Sequence, residues 1–534
     1  MPSVSEPRAH VAGLVPGGAA GRRYFVTTSI PYANGRPHIG HAYEMIAADA
    51  MARYKRLRGV PTLLLGGLDE NSQNVAKEAA KEGLAPQAYV DRMADVFLAT
   101  WRSLDVEFDE FVRTTQPRHH AATTELYQRI EAAGDIYRGA YEGWYCVSCE
   151  RYYAADELVD GLCPSHRTKP DWIQEDNYFF RLSKYQQPLL DLYARAPDFI
   201  VPEARRNEVV SFVAQGLKDL SISRASVQWG IPVPNDPTQT IYVWFDAVIN
   251  YITGVGFGPA GADGRFAAWW PAQAHVVGKD IIRFHAVYWP AMLMAGGVPL
   301  PEQIVTHGWV NFGGEKLSKS RGHVVYPREV IDLYGADALR YHLLREVPFD
   351  RDGDFTWESM ARRYQADLGN DLGNLVLRTT SMVGRYLAGQ APPAGAGGAL
   401  EDELRAAAAT AWDDVERSVE GWRFHQALSA IWEFVTAVNR YIDRTEPWRL
   451  AKAPAPRARL QTVLATSLEA VRQIAMLIRP VMPPTSDAMH QHLGLVPPGP
   501  GEWEAARSWT GVPAGHRVPG GPALFPRVET KTPA

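Results

Sequence analysis

Cysteine is scarce in this sequence, with three in 534 residues. A small, odd number excludes a disulfide framework and fits a reducing compartment. Long apolar runs are missing as well. The most apolar stretch, 286–298, is broken by Pro290 and falls short of the roughly 18 residues a bilayer-spanning helix needs, so no membrane association is expected. Nor does charge of one sign dominate. Lys plus Arg number 55 against 60 for Asp plus Glu, a net charge of −5. That excludes a generally basic polymer-binder and leaves any nucleic-acid contact to local patches. What is present is an ordinary globular mixture, 46% hydrophobic and 22% charged. It suffices for a large core and, by length, for about three or four domains.

Residues 1–23 are rich in Ala, Gly and Pro and lack the contiguous apolar segment of a secretory leader. They are expected to form a flexible extension of a cytoplasmic protein. Ordered structure is expected from Tyr24: a strand over 24–30, a turn over 31–37, a helix over 38–58 closed by Gly59, and a strand over 60–65. Strand, helix, strand is the βαβ unit of a parallel sheet. The stretch 117–235 holds all three cysteines and many turns and is expected to be an insertion. The α/β pattern resumes with strands over 241–248, 275–277 and 303–306. From Val330 onward the pattern is helical, with helices over 401–420, 424–443 and 459–479, a Gly/Pro-rich loop over 389–398 and an irregular tail from Pro497.

Three constellations carry chemistry. In the first, His38 and His41 stand three residues apart around Gly40, at the start of the first helix. A helix N-terminus offers unpaired N–H groups to phosphate, and a glycine lets a ligand approach the backbone. Ordinary polar residues at a helix start would give the same pattern. In the second, Lys316, Ser318, Lys319 and Ser320 lie among glycines, either as a mobile cationic clamp for phosphoryl charge or as a plain solvated loop. In the third, Cys146 and Cys149, then Cys163 and His166, form two pairs with two-residue spacers. Four such ligands make a closed, tetrahedral, structural Zn²⁺ site.

Together, His-Ile-Gly-His at 38–41 and Lys-Leu-Ser-Lys-Ser at 316–320 resemble the two signatures of class I aminoacyl-tRNA synthetases. The second signature carries Leu317 where the family has Met, a volume-conserving exchange. Further stretches are similar to methionyl-tRNA synthetases: Ser29–Gly35, Tyr242–Tyr251, Gly278–His285, and Glu446-Pro447-Trp448 near the end. The resemblance implies a Rossmann-type parallel-sheet α/β catalytic domain, an inserted zinc knuckle and a helical anticodon-binding domain. The corresponding segments are 24–116 and 236–310 (catalytic), 117–235 (insertion), 311–369 (the stem-contact region with the signature loop) and 370–534 (anticodon-binding).

It also implies the activity. L-methionine would be activated by ATP, with Mg²⁺, to methionyl-adenylate, and then transferred to tRNA(Met), by a monomeric enzyme. His38, Gly40, His41, Lys316, Ser318, Lys319 and Ser320 would serve ATP, with the two histidines and two lysines catalytic. Ile30, Tyr32, Trp244, Ala247, Val248, Tyr251, Ile281 and His285 would line the methionine slot, aromatic rings suiting a thioether. Asp69 would pair with the α-ammonium group. Cys146, Cys149, Cys163 and His166 would hold one structural zinc. Asn374 and Arg378, four apart on one helix face, would read the anticodon with Pro447 and Trp448. The segment 440–459 has six cations against two anions, suited to phosphate. One departure stands out: Asn71-Ser72 follows Asp69-Glu70 where many relatives carry His-Gly. A ligase that serves a small amine, an inactive tRNA-binding paralogue and a specialised second copy are the competing readings. The anticodon tryptophan argues against the first, and the intact signatures against the second.

Overall fold

Tyr24–Thr28, Thr62–Leu68 and Ala274–Gly278 are β-branched or leucine-rich runs, almost wholly buried on both faces, as strands of a covered parallel sheet must be. The computed structural model describes residues 23–147, 151–153, 155–164, 167–259, 264–316, 324–452 and 457–528. The extension expected over 1–23 lies outside these apart from Arg23. Among the described residues, no helix is long and apolar enough to cross a membrane. The chain divides into two compact units. One runs up to Pro37 and takes in Leu63–Ala99 and Glu107–His307; the other comprises His38–Thr62, Thr100–Val106 and the chain from Gly308 onward.

The first unit is built on a six-stranded sheet in the order Glu110–Arg113, Thr62–Leu68, Tyr24–Thr28, Ala274–Gly278, Ile304–His307, Ile200–Val201. Tyr24–Thr28 pairs parallel with Ala274–Gly278 in the register Val26↔Ala274, and Ala274–Gly278 pairs parallel with Ile304–His307. The edge strand Ile200–Val201 comes from within the stretch 117–235. That stretch otherwise forms a long antiparallel ribbon, Ile136–Cys146 against Asp171–Phe180, flanked by Arg151–Tyr153 and Leu220–Ser221. Phe25, Leu65, Val112, Tyr127, Phe245, Tyr251 and Trp289 belong to one buried apolar cluster. It holds the sheet to the segments that carry the site.

The strand expected over 241–248 is corrected. Asp236–Ile241 is the strand, and Val243–Ala247 is a short helix. The amides of Phe245 and Asp246 bond back to the Tyr242 carbonyl at 2.8 and 3.3 Å. A short apolar run does not announce its period, and here the tertiary setting overrides β-propensity.

The second unit is mostly helical. Ile39–Leu57 begins one residue after its cap, His38, and Gly59 follows its end at φ +74°, the left-handed geometry that favours glycine. Ala399–Glu420, Phe424–Thr445 and Arg457–Ile478 agree with the sequence periodicity to within two residues at each end. The chain after Val330 is not helical throughout. Gly353–Phe355 is a strand paired parallel with Val310–Phe312. The tail expected to be irregular contains the short helix Trp503–Arg507. Its Trp503 is buried edge-on against Tyr54 and Trp412, at ring distances of 5.1 and 4.8 Å.

Candidate active site

In the first unit, residues far apart in sequence converge. The Asp69 amide donates to the Pro31 carbonyl at 3.0 Å, and Ala33 donates to the Asp69 carbonyl at 2.9 Å. This two-way tie holds Tyr32 beside buried Asp69. Gly67 allows the approach: a Cβ there would lie 2.7 Å from Ile30 Cγ2 and 2.4 Å from the Val112 carbonyl. Tyr32 meets Trp244 edge-on at 6.0 Å. Trp244 stacks on Phe284 at 3.7 Å, nearly coplanar. Ala247 and Val248 are buried at the end of the same short helix.

His285 lies in a π-helical turn, Phe284–Tyr288, a local widening that recurs at functional sites. Its Nδ1 is 3.0 Å from the Ile281 carbonyl, which can only accept, so Nδ1 carries the proton. Nε2 then accepts the Tyr251 hydroxyl at 2.7 Å. The Tyr251 ring stacks on His275 at 4.3 Å. Burial, with the neighbouring His285, holds His275 well below the usual histidine pKa. Trp289 Nε1 donates to His275 Nε2 at 3.3 Å, so Nδ1 donates to Thr27 Oγ1 at 2.6 Å. Tyr251 is thereby fixed on both its face and its hydroxyl. All nine residues proposed for the amino-acid slot fall in this neighbourhood.

The Asn71-Ser72 departure has a local structural account. Asn71 Nδ2 donates to Thr114 O at 3.1 Å and to Asp246 Oδ2 at 2.8 Å. Ser72 Oγ caps the helix Gln73–Lys81 by accepting from Val75 N at 3.1 Å, a cap glycine could not supply. Glu70 is pushed up in pKa by burial, against the pull of Arg113, whose Nε is 2.7 Å away.

In the second unit, the two histidines are organised by the helix start. Gly40 N donates to His38 Nδ1 at 3.1 Å, and His38 N donates to His41 Nδ1 at 3.2 Å. The rings stack at 3.8 Å. Each Nδ1 accepts from a backbone N–H, so each neutral ring carries its hydrogen on Nε2, a donor of the kind a phosphoryl oxygen takes. Lys316 ends the strand Glu315–Lys316, paired with Val310–Phe312. Leu317, Ser318, Lys319 and Ser320 lie outside the described residues.

Of the four expected zinc ligands, Cys149 and His166 lie outside the described residues. Cys146 and Cys163 are buried in one small cluster with Tyr153. Both gather around Thr168: Cys146 Sγ is 3.7 Å from its hydroxyl, and Cys163 N donates to its carbonyl at 2.9 Å. The Cys163 thiol itself lies 3.5 Å from the Tyr153 hydroxyl, and among the described residues no three His, Cys, Asp or Glu side chains cluster as metal ligands.

The helical segments also bring distant residues together. Arg378 lies over the Trp448 ring at 5.9 Å and pairs with Asp443 at 2.9 Å. Asn374 is exposed at the start of the same helix, Asn374–Leu387, directly after the π-helical run Tyr364–Gly373. Pro447 is buried as the first residue of a one-turn helix that presents Trp448 half-buried.

Comparison with known proteins decides the family. A model described as tRNA synthetases class I (M) matches residues 24–171 and 165–380. A second, the anticodon binding domain of methionyl tRNA ligase, matches 391–533. The methionine–tRNA ligase of Streptomyces coelicolor is 43% identical over 526 residues, covering 96% of this chain and 97% of that one. That of Caldanaerobacter subterraneus subsp. tengcongensis is 44% identical over 510 residues, 96% of this chain and 80% of its own. The solved Mycobacterium tuberculosis methionyl-tRNA synthetase in complex with methionyl-adenylate superposes with a TM-score of 0.91 at 44% identity, over 95% of this chain and 100% of that one. Its apo form gives 0.85. The chain belongs to the methionyl-tRNA synthetase family.

It is a class I methionine–tRNA ligase, forming methionyl-adenylate from L-methionine and ATP and esterifying tRNA(Met). Within this synthetase fold, several supporting residues lie outside the residues that the motifs single out. Phe284, which stacks on Trp244, sits immediately before the singled-out His285 in the Gly278–His285 stretch, so a signal was within reach. Thr27, His275 and Trp289, which back Tyr251, carry no motif. Only the fold assembles them.

Proposed function

We propose that the methionyl group binds among Ile30, Tyr32, Trp244, Ala247, Val248, Tyr251, Ile281 and His285, with the α-ammonium group on Asp69. The observation that carries this reading is the linked arrangement of a buried carboxylate, three aromatic rings and a tautomer-locked histidine in one neighbourhood. The slot is apolar and aromatic, as a thioether requires. One carboxylate suffices to orient the amine.

His38 and His41, with the Gly40 backbone, bind ATP phosphates through the donors on Nε2. Lys316 and Lys319, with Ser318 and Ser320, hold the departing pyrophosphate. ATP is expected as its Mg²⁺ complex. The methionine carboxylate attacks the α-phosphate; the terminal ribose hydroxyl of the tRNA then attacks the acyl carbon and releases AMP. No covalent enzyme intermediate is needed, so this chain's residues act by positioning and by stabilising charge. Asn374, Arg378, Pro447 and Trp448 contact the anticodon, Trp448 by stacking. Cys146, Cys149, Cys163 and His166 would hold one zinc, which would supply a structural cross-link. The enzyme works as a cytoplasmic monomer.

The test is amino-acid-dependent ATP–pyrophosphate exchange without tRNA, run with each proteinogenic amino acid. Exchange with methionine alone is expected. Exchange with another amino acid would remove the slot assignment and leave the class I chemistry standing. Lys319→Ala should lower the activation rate far more than it changes the methionine KM; an unchanged rate would remove the clamp role.

A further inference from the structure

The short helix that carries Trp244, Val243–Ala247, has no side-chain cap at its N-terminus. Five residues cannot hold themselves helical in isolation, so outside contacts set where this helix lies. Two are visible. His119, on the helix Pro117–Ala132, is driven by burial to a pKa of about 3; a hydrogen bond to the Asp246 backbone opposes that fall. The ring is therefore neutral. The second contact is Asn71.

Asn71 is 5% exposed and Asp246 is 0% exposed. Asn71 uses both hydrogens of one nitrogen, toward Asp246 Oδ2 at 2.8 Å and Thr114 O at 3.1 Å. Both acceptors are buried oxygens, and the Thr114 carbonyl can only accept, which fixes the amide nitrogen on this side. A carboxamide is the uncharged side chain that presents two N–H groups from a single atom; an imidazole presents one in that direction, and a carboxylate none. Asn71 is also two residues from Asp69, and Glu70 between them is held by Thr114 Oγ1 on its amide at 2.8 Å and by Trp229 Nε1 on its carbonyl at 2.6 Å. The segment that carries Asp69 is thus rigid, and Asn71 is its tie to the helix that carries Trp244 and Ala247.

We propose that Asn71 is a positioning residue for methionine: through the Asp246 carboxylate it sets the distance between the wall bearing Asp69 and the aromatic wall bearing Trp244. It touches no reacting atom. The inference rests on the reading that methionine binds between Asp69 and Trp244. Because an apolar slot discriminates a methylene weakly, a small displacement of this wall registers in methionine binding before anything else.

The experiment is ATP–pyrophosphate exchange with the full-length enzyme carrying Asn71→His, Asn71→Ala or Asn71→Asp, beside Trp244→Ala. These variants keep one donor, keep none, or place a second carboxylate against Asp246. The expected result is a graded rise in the methionine KM, reaching about tenfold or more for Asn71→Asp, since a buried acceptor left unpaired is costly. The KM for ATP should stay within about twofold of wild type. A purely structural role would instead lower the thermal midpoint and the active fraction without separating the two KM values.

Unchanged methionine KM in the folded Asn71 variants, or equal rises in both KM values, overturns the proposal. If Asn71→Asp does not fold, Asn71→Ala and Asn71→His carry the test. Trp244→Ala separates the two levels. If it leaves the methionine KM unchanged, the slot reading fails and the proposal fails with it. If it raises that KM while the Asn71 variants do not, the proposal alone fails.

Discussion

Nη2 of Arg340 lies 2.6 Å from Oδ2 of Asp49, and neither side chain has any exposure. Asp49 is on the helix that His38 begins, and its carboxylate also takes Arg53 Nε at 2.8 Å. Arg340 spends its remaining donors on the carbonyls of Leu104, Asp105, Pro480 and Val481 at 3.0, 3.5, 3.2 and 2.6 Å. A buried guanidinium with every N–H directed at oxygen is well satisfied. Removing it leaves Asp49 with Arg53 alone of these two cations and takes a charged donor from four carbonyls.

Arg340→Met is therefore expected to cost about 3–5 kcal/mol, read as a lowered urea midpoint. The same pair makes stability depend on acid. Burial alone would raise the Asp49 pKa, but Arg53 and Arg340 overcome it and hold the carboxyl below its usual value. A depressed carboxyl contributes stability that is present above the unfolded pKa and lost as pH falls through the folded one. Asp49→Asn should flatten the acid limb of the stability profile. An unchanged limb would mean that other carboxylates govern it.

Asp337 behaves in the opposite sense. Burial raises its pKa to about 6, against the hydrogen bond its Oδ2 accepts from Thr485 N at 2.6 Å. A raised carboxyl contributes stability below its unfolded pKa that is lost as pH rises through the folded value. The window runs from about 4 to about 6. Asp337→Asn keeps an oxygen for the Thr485 amide and carries no charge. It is expected to raise stability at pH 8 by on the order of 2 kcal/mol, with little gain at pH 4. Equal effects at both pH values would contradict this assignment.

Trp448 and Arg378 are expected to separate the two half-reactions. Trp448→Ala should reduce kcat/KM for tRNA by roughly ten- to a hundredfold, the scale of a lost base stack, while methionine-dependent ATP–pyrophosphate exchange stays at wild-type rate. A matching loss of exchange would show that Trp448 acts through the fold instead of the anticodon.

Metal content tests the knuckle. Elemental analysis of the purified enzyme is expected to find one zinc per chain, and none after Cys146→Ser. Because the proposed site is closed and structural, the variant should show a lower thermal midpoint, with methionine KM little changed. A full zinc complement in Cys146→Ser would remove that cysteine from the ligand set.

Much of the architecture can be read directly from the sequence. The first βαβ unit, the histidine cap at 38, the long C-terminal helices and the inserted cysteine stretch all show as local periodicity, turn chemistry or spacing. Each is set by interactions within a few residues, which is why the helix expected over 38–58 is found at Ile39–Leu57. The residues proposed for the methionine slot fall in contiguous stretches that resemble the family's motifs.

What tertiary structure alone decided concerns partners. The strand-like apolar run is the helix Val243–Ala247, with Asn71 on Asp246 and Phe245 in the buried core, contacts that no local pattern announces. The tautomer of His275 follows from Trp289, a neighbour whose identity no spacing rule supplies. Arg340 and Asp49 stand 291 positions apart, and nothing local to either announces a buried ion pair. Periodicity and motif spacing are short-range quantities. Hydrogen-bond pairing in a low-dielectric interior depends on which distant groups the fold brings within about 3 Å.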